Sequence, residues 1–134
     1  APILKETQLT DLNLTQSKIR VKGALALGAV LKETKIITLD LGSIYYEYAT
    51  SNGLCGLDGG GRGTYTAEGI AKLCEVLKGS GVTSLDIANN RIGAEGASTL
   101  AAILKETQIQ ELNLQDNNIG DKGASALAAV LKET

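Results

Sequence analysis

The chain has 134 residues, enough for one domain, and 43% of them are apolar although Phe, Trp and Met are absent. Its net charge is −2, from 13 basic and 15 acidic residues, and it contains no basic block that would favour binding of nucleic acid. No apolar run approaches the roughly 18 residues needed to span a membrane, and no signal peptide opens the sequence.

The two cysteines, Cys55 and Cys74, lie 19 residues apart and belong to no CxxC pair. Because the sequence also has no His, it offers too few ligands for a zinc site, and neither a metal nor a cofactor is expected. Reduced thiols are typical of intracellular proteins. We therefore expect a cytoplasmic protein with reduced cysteines, and a disulfide between them is the alternative.

The word Leu-Lys-Glu-Thr recurs along the chain and defines a repeat. Intact copies begin at residues 4, 31, 104 and 131, and a degenerate copy begins at residue 77. The starts are 27, 46, 27 and 27 residues apart, so the second unit is a 27-residue repeat with 19 extra residues. Self-similarity at such a period is typical of solenoids. The sequence predicts one domain of four coils, at about 4–30, 31–76, 77–103 and 104–130.

After the word, each unit has apolar residues at i, i+3 and i+5. The last two of these are two residues apart, so they share one face of a strand. These trios are Leu9, Leu12 and Leu14; Ile36, Leu39 and Leu41; Val82, Leu85 and Ile87; and Ile109, Leu112 and Leu114. Small and aliphatic residues at i, i+3, i+4 and i+7 then predict a helix. This stripe consists of Ala97, Leu100, Ala101 and Leu104 in the third unit, and Ala124, Leu127, Ala128 and Leu131 in the fourth.

Asn90 and Asn117 stand five residues after the second apolar residue of their strands. We expect both side chains to be buried and to bond the turning backbone of adjacent coils, which the sheet leaves unpaired. The first unit has the shorter Ser17 at this place, and the second reaches Ile44, where the extra residues begin.

One strand and one helix per coil can bury their apolar faces only by stacking on the next coil. Parallel strands pack about 4.8 Å apart, whereas helix axes need roughly 8–10 Å. The stack must therefore curve, with a parallel β-sheet on the concave face and helices on the convex face. The predicted fold class is an α/β solenoid.

The stretch from Leu112 to Ala124 resembles the leucine-rich repeat of the ribonuclease-inhibitor subfamily, and four units share its pattern. This subfamily includes the inhibitor itself, GTPase-activating proteins for the nuclear-transport GTPase, and the sensor regions of intracellular nucleotide-binding receptors. The resemblance implies a curved leucine-rich-repeat solenoid that holds ligands on its concave face or in loops at the rim. Family members usually have more than four coils, and no capping segment is evident at either end of this chain.

No feature of the sequence favours catalysis. Without His, no Ser-His or Cys-His pair can activate a nucleophile. The stretch from Gly56 to Thr64 has Gly at the first and sixth positions of a phosphate loop, but Arg62 and Gly63 stand where Lys and Ser or Thr are needed. A flexible Gly-rich loop is the simpler interpretation, and no catalytic residue is expected.

Three of the four tyrosines, Tyr45, Tyr46 and Tyr48, lie among the extra residues, at about 44–62. Strand propensity favours an extension of the second strand that packs back on the coil, followed by a flexible return. The enrichment of Tyr in binding hot spots favours a protruding recognition loop. A loop after the carboxyl end of a parallel strand is also where open α/β sheets usually hold ligands.

The outward positions of the strands carry four acids and no base. Ordinary solvation explains such a face without any partner, whereas an acidic cradle would suit a basic surface on another protein. The candidate partner-binding residues are Asp11, Asn13, Asp40, Asp86, Glu111 and Asn113, together with Tyr45, Tyr46 and Tyr48.

These observations favour a non-enzymatic protein–protein interaction module or a scaffold subunit of a larger assembly. The alternative is the repeat region of a GTPase-activating protein or of an intracellular nucleotide-binding sensor. Protein partners are expected, without nucleic acid and without a membrane span. Both ends of the sequence stand at the same phase of the repeat, so we expect further repeats or another subunit to cover the first and last coils.

Overall fold

The computed structural model describes residues 9–15, 17–31, 33–43, 53–57 and 65–131. In this part of the chain, strands and helices alternate. The elements are β1 (Asp11–Asn13), α1 (Arg20–Leu31), β2 (Thr38–Asp40), α2 (Glu68–Leu77), β3 (Ser84–Asp86), α3 (Gly93–Leu104), β4 (Glu111–Asn113) and α4 (Gly120–Leu131). Each of the four coils thus contributes one strand and one helix.

The four strands form one parallel sheet in the order β1-β2-β3-β4. The register aligns the central leucine of every strand in one row, which consists of Leu12, Leu39, Leu85 and Leu112. The four strands therefore lie where the apolar trios predicted them. Leu39 and Leu85 are fully buried, whereas Leu12 and Leu112 are half-buried because each lies in an edge strand.

The predicted helical stripe is confirmed in the third coil, where Ala97, Leu100 and Ala101 are buried. In the fourth coil Leu127 is buried, but Ala124 and Ala128 are exposed. These two alanines occupy the positions of Ala97 and Ala101. The difference follows from stacking, since α3 packs against α4 while the described residues place no helix beyond α4.

The asparagine prediction is also confirmed, because Asn90 and Asn117 are 0% and 2% exposed. Asn117 Oδ1 accepts hydrogen bonds from the amides of Asn90 and Ile92, both in the preceding coil. Its Nδ2 donates to the carbonyl of Ile87, also in the preceding coil, and to the carbonyl of Leu114 in its own. A buried amide side chain thus satisfies backbone groups that a three-residue strand leaves unpaired.

The helices α1, α3 and α4 each begin at a residue with a positive φ. Gly93 and Gly120 adopt φ values of 67° and 64° there. Arg20 holds the same place in the first coil with φ 57°. Glycine adopts this conformation without the steric penalty that a Cβ atom brings.

Part of the extra sequence in the second coil belongs to the core. Residues 53–57 lie within the predicted insertion at about 44–62, yet Leu54 and Cys55 are 0% exposed. The amide of Leu54 donates to Asn90 Oδ1 at 3.3 Å, as the amide of Asn90 does to Asn117 Oδ1. The amide of Thr66 then donates to the carbonyl of Cys55. Residues 53–57 therefore supply a turn of the second coil rather than part of a separate loop.

Candidate protein-binding face

The outward side chains of the sheet form two rows, and together they are called the sheet face below. The first row consists of Asp11, Thr38, Ser84 and Glu111, and the second of Asn13, Asp40, Asp86 and Asn113. The structure therefore brings together all six strand residues that the sequence analysis selected. In the edge strands these side chains are exposed, and in the inner strands they are half-buried.

Every residue of the second row closes a turn at the carboxyl end of its strand. Asp40 Oδ1 accepts the amide of Gly42 and Asp86 Oδ1 accepts the amide of Ala88, both at 2.9 Å. The side-chain oxygens of Asn13 and Asn113 accept the amides two residues ahead, at 2.9 and 3.0 Å. Asn and Asp form such turns with their own backbone equally well. The hydrogen bond thus explains an Asn or Asp at this position, but it does not explain a charge.

Asp40 and Asp86 are neighbours on adjacent strands. A Cβ atom built on Gly42 would lie 3.2 Å from Asp40 Oδ1 and 3.0 Å from Asp86 Oδ1, so both carboxylates border the same small space. Asp86 also accepts a hydrogen bond from Asn113 Nδ2, at 3.2 Å. Like charges directly opposite on adjacent strands destabilise a sheet. This pair therefore costs folding free energy that two asparagines would not.

The two rows contain four acids and neither Lys nor Arg. Parallel strands hold these side chains on one side of a rigid sheet. Concentrated negative potential on a fixed surface attracts basic groups and raises their association rate. The chemistry available on this face is therefore electrostatic recognition.

The tyrosine candidates Tyr45, Tyr46 and Tyr48 lie outside the residues that the structure describes. Tyr65, which no motif had singled out, is half-buried and packs against the core. Its hydroxyl donates to the carbonyl of Ile92 at 2.5 Å. It stands at the position of Ile92 and Ile119 in the later coils, and its hydroxyl links the second coil to the third.

Both cysteines are buried thiols that form no disulfide. Burial raises the pKa of Cys55 to about 11, although a hydrogen bond with Tyr65 acts in the opposite direction. Burial also raises the pKa of Cys74 to about 12. Because the nucleophile is the thiolate, both side chains are unreactive near neutral pH and serve as small core residues.

Within the described ranges, no group of three or more His, Cys, Asp or Glu side chains could hold a metal ion. Over the same ranges, none of the helices combines the length and the apolar character needed to cross a membrane.

The leucine-rich repeat family matches two segments of the sequence, residues 82–101 and 107–128. These two segments are therefore leucine-rich repeats. The matched segments cover most of coils three and four, and coils one and two of the same leucine-rich-repeat solenoid align with them strand by strand. No curated relative matches closely enough to add a second comparison. Leucine-rich repeats generally mediate contacts between proteins.

Sequence reasoning placed the sheet face correctly but missed the turns that order its second row. The available signal was an Asn or Asp directly after the central leucine in all four units. It also missed the core role of Leu54, because the spacing between repeat words assigned all extra residues to one continuous insertion.

Proposed function

We propose that this protein is a non-enzymatic interaction module that binds a basic surface of another protein through the sheet face. The observation that carries the proposal is the pair Asp40 and Asp86. These carboxylates occupy positions where Asn13 and Asn113 make the same backbone hydrogen bond without a charge. A charge that the fold does not need, and that faces a like charge, is best explained by a partner that is attracted to it.

Asp11 and Glu111 extend this acidic surface to both edges of the sheet. They lie in the first row, where the inner strands have the neutral side chains of Thr38 and Ser84. Four acids across four strands match a partner with several basic side chains better than a single basic residue. The tyrosine segment, Tyr45, Tyr46 and Tyr48, is proposed as a second contact at the rim.

We further assign the chain to the ribonuclease-inhibitor-like subfamily. The 27-residue period and one helix of 10 to 12 residues in each coil support this assignment. The proposal includes a role as a scaffold subunit and a location in the cytoplasm. The two buried, unbridged thiols support the location.

The test is affinity capture from an extract of the source cells, with matched baits. We expect wild-type protein to retain basic proteins that added salt releases, since salt screens exposed charges. A bait carrying Asp40→Asn and Asp86→Asn should lose them, because both turns persist without the charges. The control bait, Glu68→Gln, removes an exposed acid on α2. Equal recovery on all three baits would contradict the proposal.

A further inference from the structure

An exposed aliphatic side chain lies at the border of the sheet face. The residues one position before the first row are Thr10, Ile37, Thr83 and Gln110, here called the border row. Ile37 is 44% exposed, the largest exposed fraction of any large hydrophobic residue that the structure describes. Ile36 beside it is 2% exposed and Leu39 is 0% exposed, so the second coil has its core residues without Ile37.

The backbone holds Ile37 in place from both sides. Its amide donates to the carbonyl of Thr10 at 2.6 Å, and its carbonyl accepts the amides of Thr83 and Ser84 at 2.8 and 3.1 Å. These bonds join the second coil to the first and to the third. The exposed side chain therefore projects from the fixed backbone of an inner coil, between two neighbours, and not from an end of the stack.

The fold does not require an aliphatic residue at this position. Thr10 and Thr83 have the same pattern of backbone bonds, because the carbonyl of each accepts two amides of the following coil. Thr is β-branched like Ile, so strand propensity does not distinguish the two. An exposed Ile leaves apolar surface in water, and covering that surface is favourable. Ile37 thus offers a contact that folding leaves unused.

Ile37 also lies close to the two carboxylates on which the proposed function depends. It precedes Asp40 by three residues, which is about 10 Å at the rise of an extended chain. Asp86 lies opposite Asp40 on the next strand, about 4.8 Å away. Negative charge alone attracts any basic protein, whereas an apolar contact at a fixed distance from the charge discriminates among basic proteins.

We propose that Ile37 is a specificity-determining contact of the sheet face, and that the partner segment which binds there combines basic side chains with an aliphatic one. This inference rests on the proposed function. The basic side chains face Asp40 and Asp86, and the aliphatic side chain packs on Ile37. Electrostatic attraction then mainly sets the on-rate, and burial of the apolar pair slows dissociation.

Two lysine-rich synthetic peptides of equal length and charge test the proposal. One has a leucine and the other a serine at the same place, three residues from the nearest lysine, which spans about 10 Å in an extended peptide. We expect the protein to bind the leucine peptide about fivefold more tightly, as partial burial of one aliphatic side chain would give. Fluorescence anisotropy of the labelled peptides at low salt measures both dissociation constants.

The matched variants are Ile37→Val and Ile37→Thr, whose new side chains differ only by a methyl group in place of a hydroxyl. Ile37→Val should keep most of the preference for the leucine peptide, and Ile37→Thr should abolish it. Thr already occupies this position in the first and third coils, so the fold tolerates it. Urea denaturation would verify that both variants keep the stability of the wild type.

A variant with Asp40→Asn and Asp86→Asn separates this inference from the proposed function. It should weaken the binding of both peptides and retain the preference for leucine. Equal binding of the two peptides by the wild type, or a preference that survives in Ile37→Thr, would overturn the role of Ile37 and leave the proposed function standing. If neither peptide binds, or if the double variant binds both as tightly as the wild type does, the proposed function is wrong and this inference with it.

Discussion

The backbone amide of Asn90 donates a hydrogen bond to Asn117 Oδ1 at 2.8 Å, so the side chain of one coil positions the turn of the coil before it. Asn90 repeats this role, because its Oδ1 accepts the amide of Leu54. Its Nδ2 donates to the carbonyls of Leu41, Ile87 and Ala88 at 2.9 to 3.2 Å. This one side chain therefore satisfies backbone groups in two coils.

Asn90→Ala should reduce the free energy of unfolding by about 3 kcal/mol, since buried polar groups that lose their partners cost roughly 1–3 kcal/mol each. Asn13→Ala is the matched control. It removes one exposed hydrogen bond and should cost about 1 kcal/mol. Urea denaturation of both variants measures the difference. Equal losses would mean that the buried asparagine does not join the coils.

Gly120→Ala should destabilise the protein by roughly 1 kcal/mol for a purely conformational reason. Gly120 has φ 64°, and a Cβ atom there would meet nothing within 4 Å. The penalty therefore comes from the left-handed backbone alone. A Cβ atom on Gly81 also meets nothing within 4 Å, and Gly81 has no positive φ. Gly81→Ala should be neutral or stabilising by up to about 1 kcal/mol, and thermal denaturation compares the two.

Stability should fall as the pH rises above about 9. The pKa of Cys74 is raised by burial from an ordinary value of 9.0 to about 12. The unfolded chain therefore releases this proton at a lower pH than the folded chain, and ionisation favours unfolding between the two values. Each buried thiol contributes up to about 1.4 kcal/mol per pH unit in that window.

Cys74→Ala should reduce this alkaline slope, because Ala101 holds the same buried position in the third coil without a titratable group. Urea titrations of both proteins at several pH values from 8 to 11 provide the comparison. The slope is the relevant quantity, since the substitution also removes some packing. An unchanged slope would exclude Cys74 as its source.

Two variants test whether different parts of the extra sequence in the second coil serve packing and binding. Leu54 is 0% exposed, so Leu54→Ala should cost about 2–5 kcal/mol. Replacing Tyr45, Tyr46 and Tyr48 by Ser should leave the unfolding free energy within about 1 kcal/mol while it weakens partner binding, if these residues form a recognition loop. A large loss of stability in the tyrosine variant would instead favour packing on the second coil.

The repeat explains how much could be predicted from the sequence. Period-two leucines at Leu39 and Leu85 located strands, and Ala97 and Ala101 located a helix, because each pattern recurs at a fixed spacing. Leu54 could not be placed in this way. It belongs to a unit whose length departs from the period, so the spacing gave no register, and its amide bonds Asn90 Oδ1, which lies 36 residues further along the chain.

The sheet face was predictable for a similar reason, since alternation along a strand assigns Asp40 and Asp86 to the side opposite the leucines. The backbone hydrogen bonds of these carboxylates were not anticipated. They depend on a turn at the end of each strand, which brings the amides of Gly42 and Ala88 to 2.9 Å from the carboxylate oxygens.

The central claim is that the negative charges of Asp40 and Asp86 serve binding rather than folding. A variant with Asp40→Asn and Asp86→Asn keeps both turns and removes a like-charge contact, so its unfolding free energy should rise by a few tenths to about 1 kcal/mol. Its association with a captured partner should become slower, because electrostatic steering acts on the on-rate.

The most direct measurement is the on-rate of that partner for wild type and variant as a function of salt, with the unfolding free energy measured on the same samples. We predict that the wild-type on-rate falls with added salt, and that the more stable variant binds more slowly with a shallower salt dependence. Equal on-rates and equal salt dependence, in a variant that remains folded, would contradict the account.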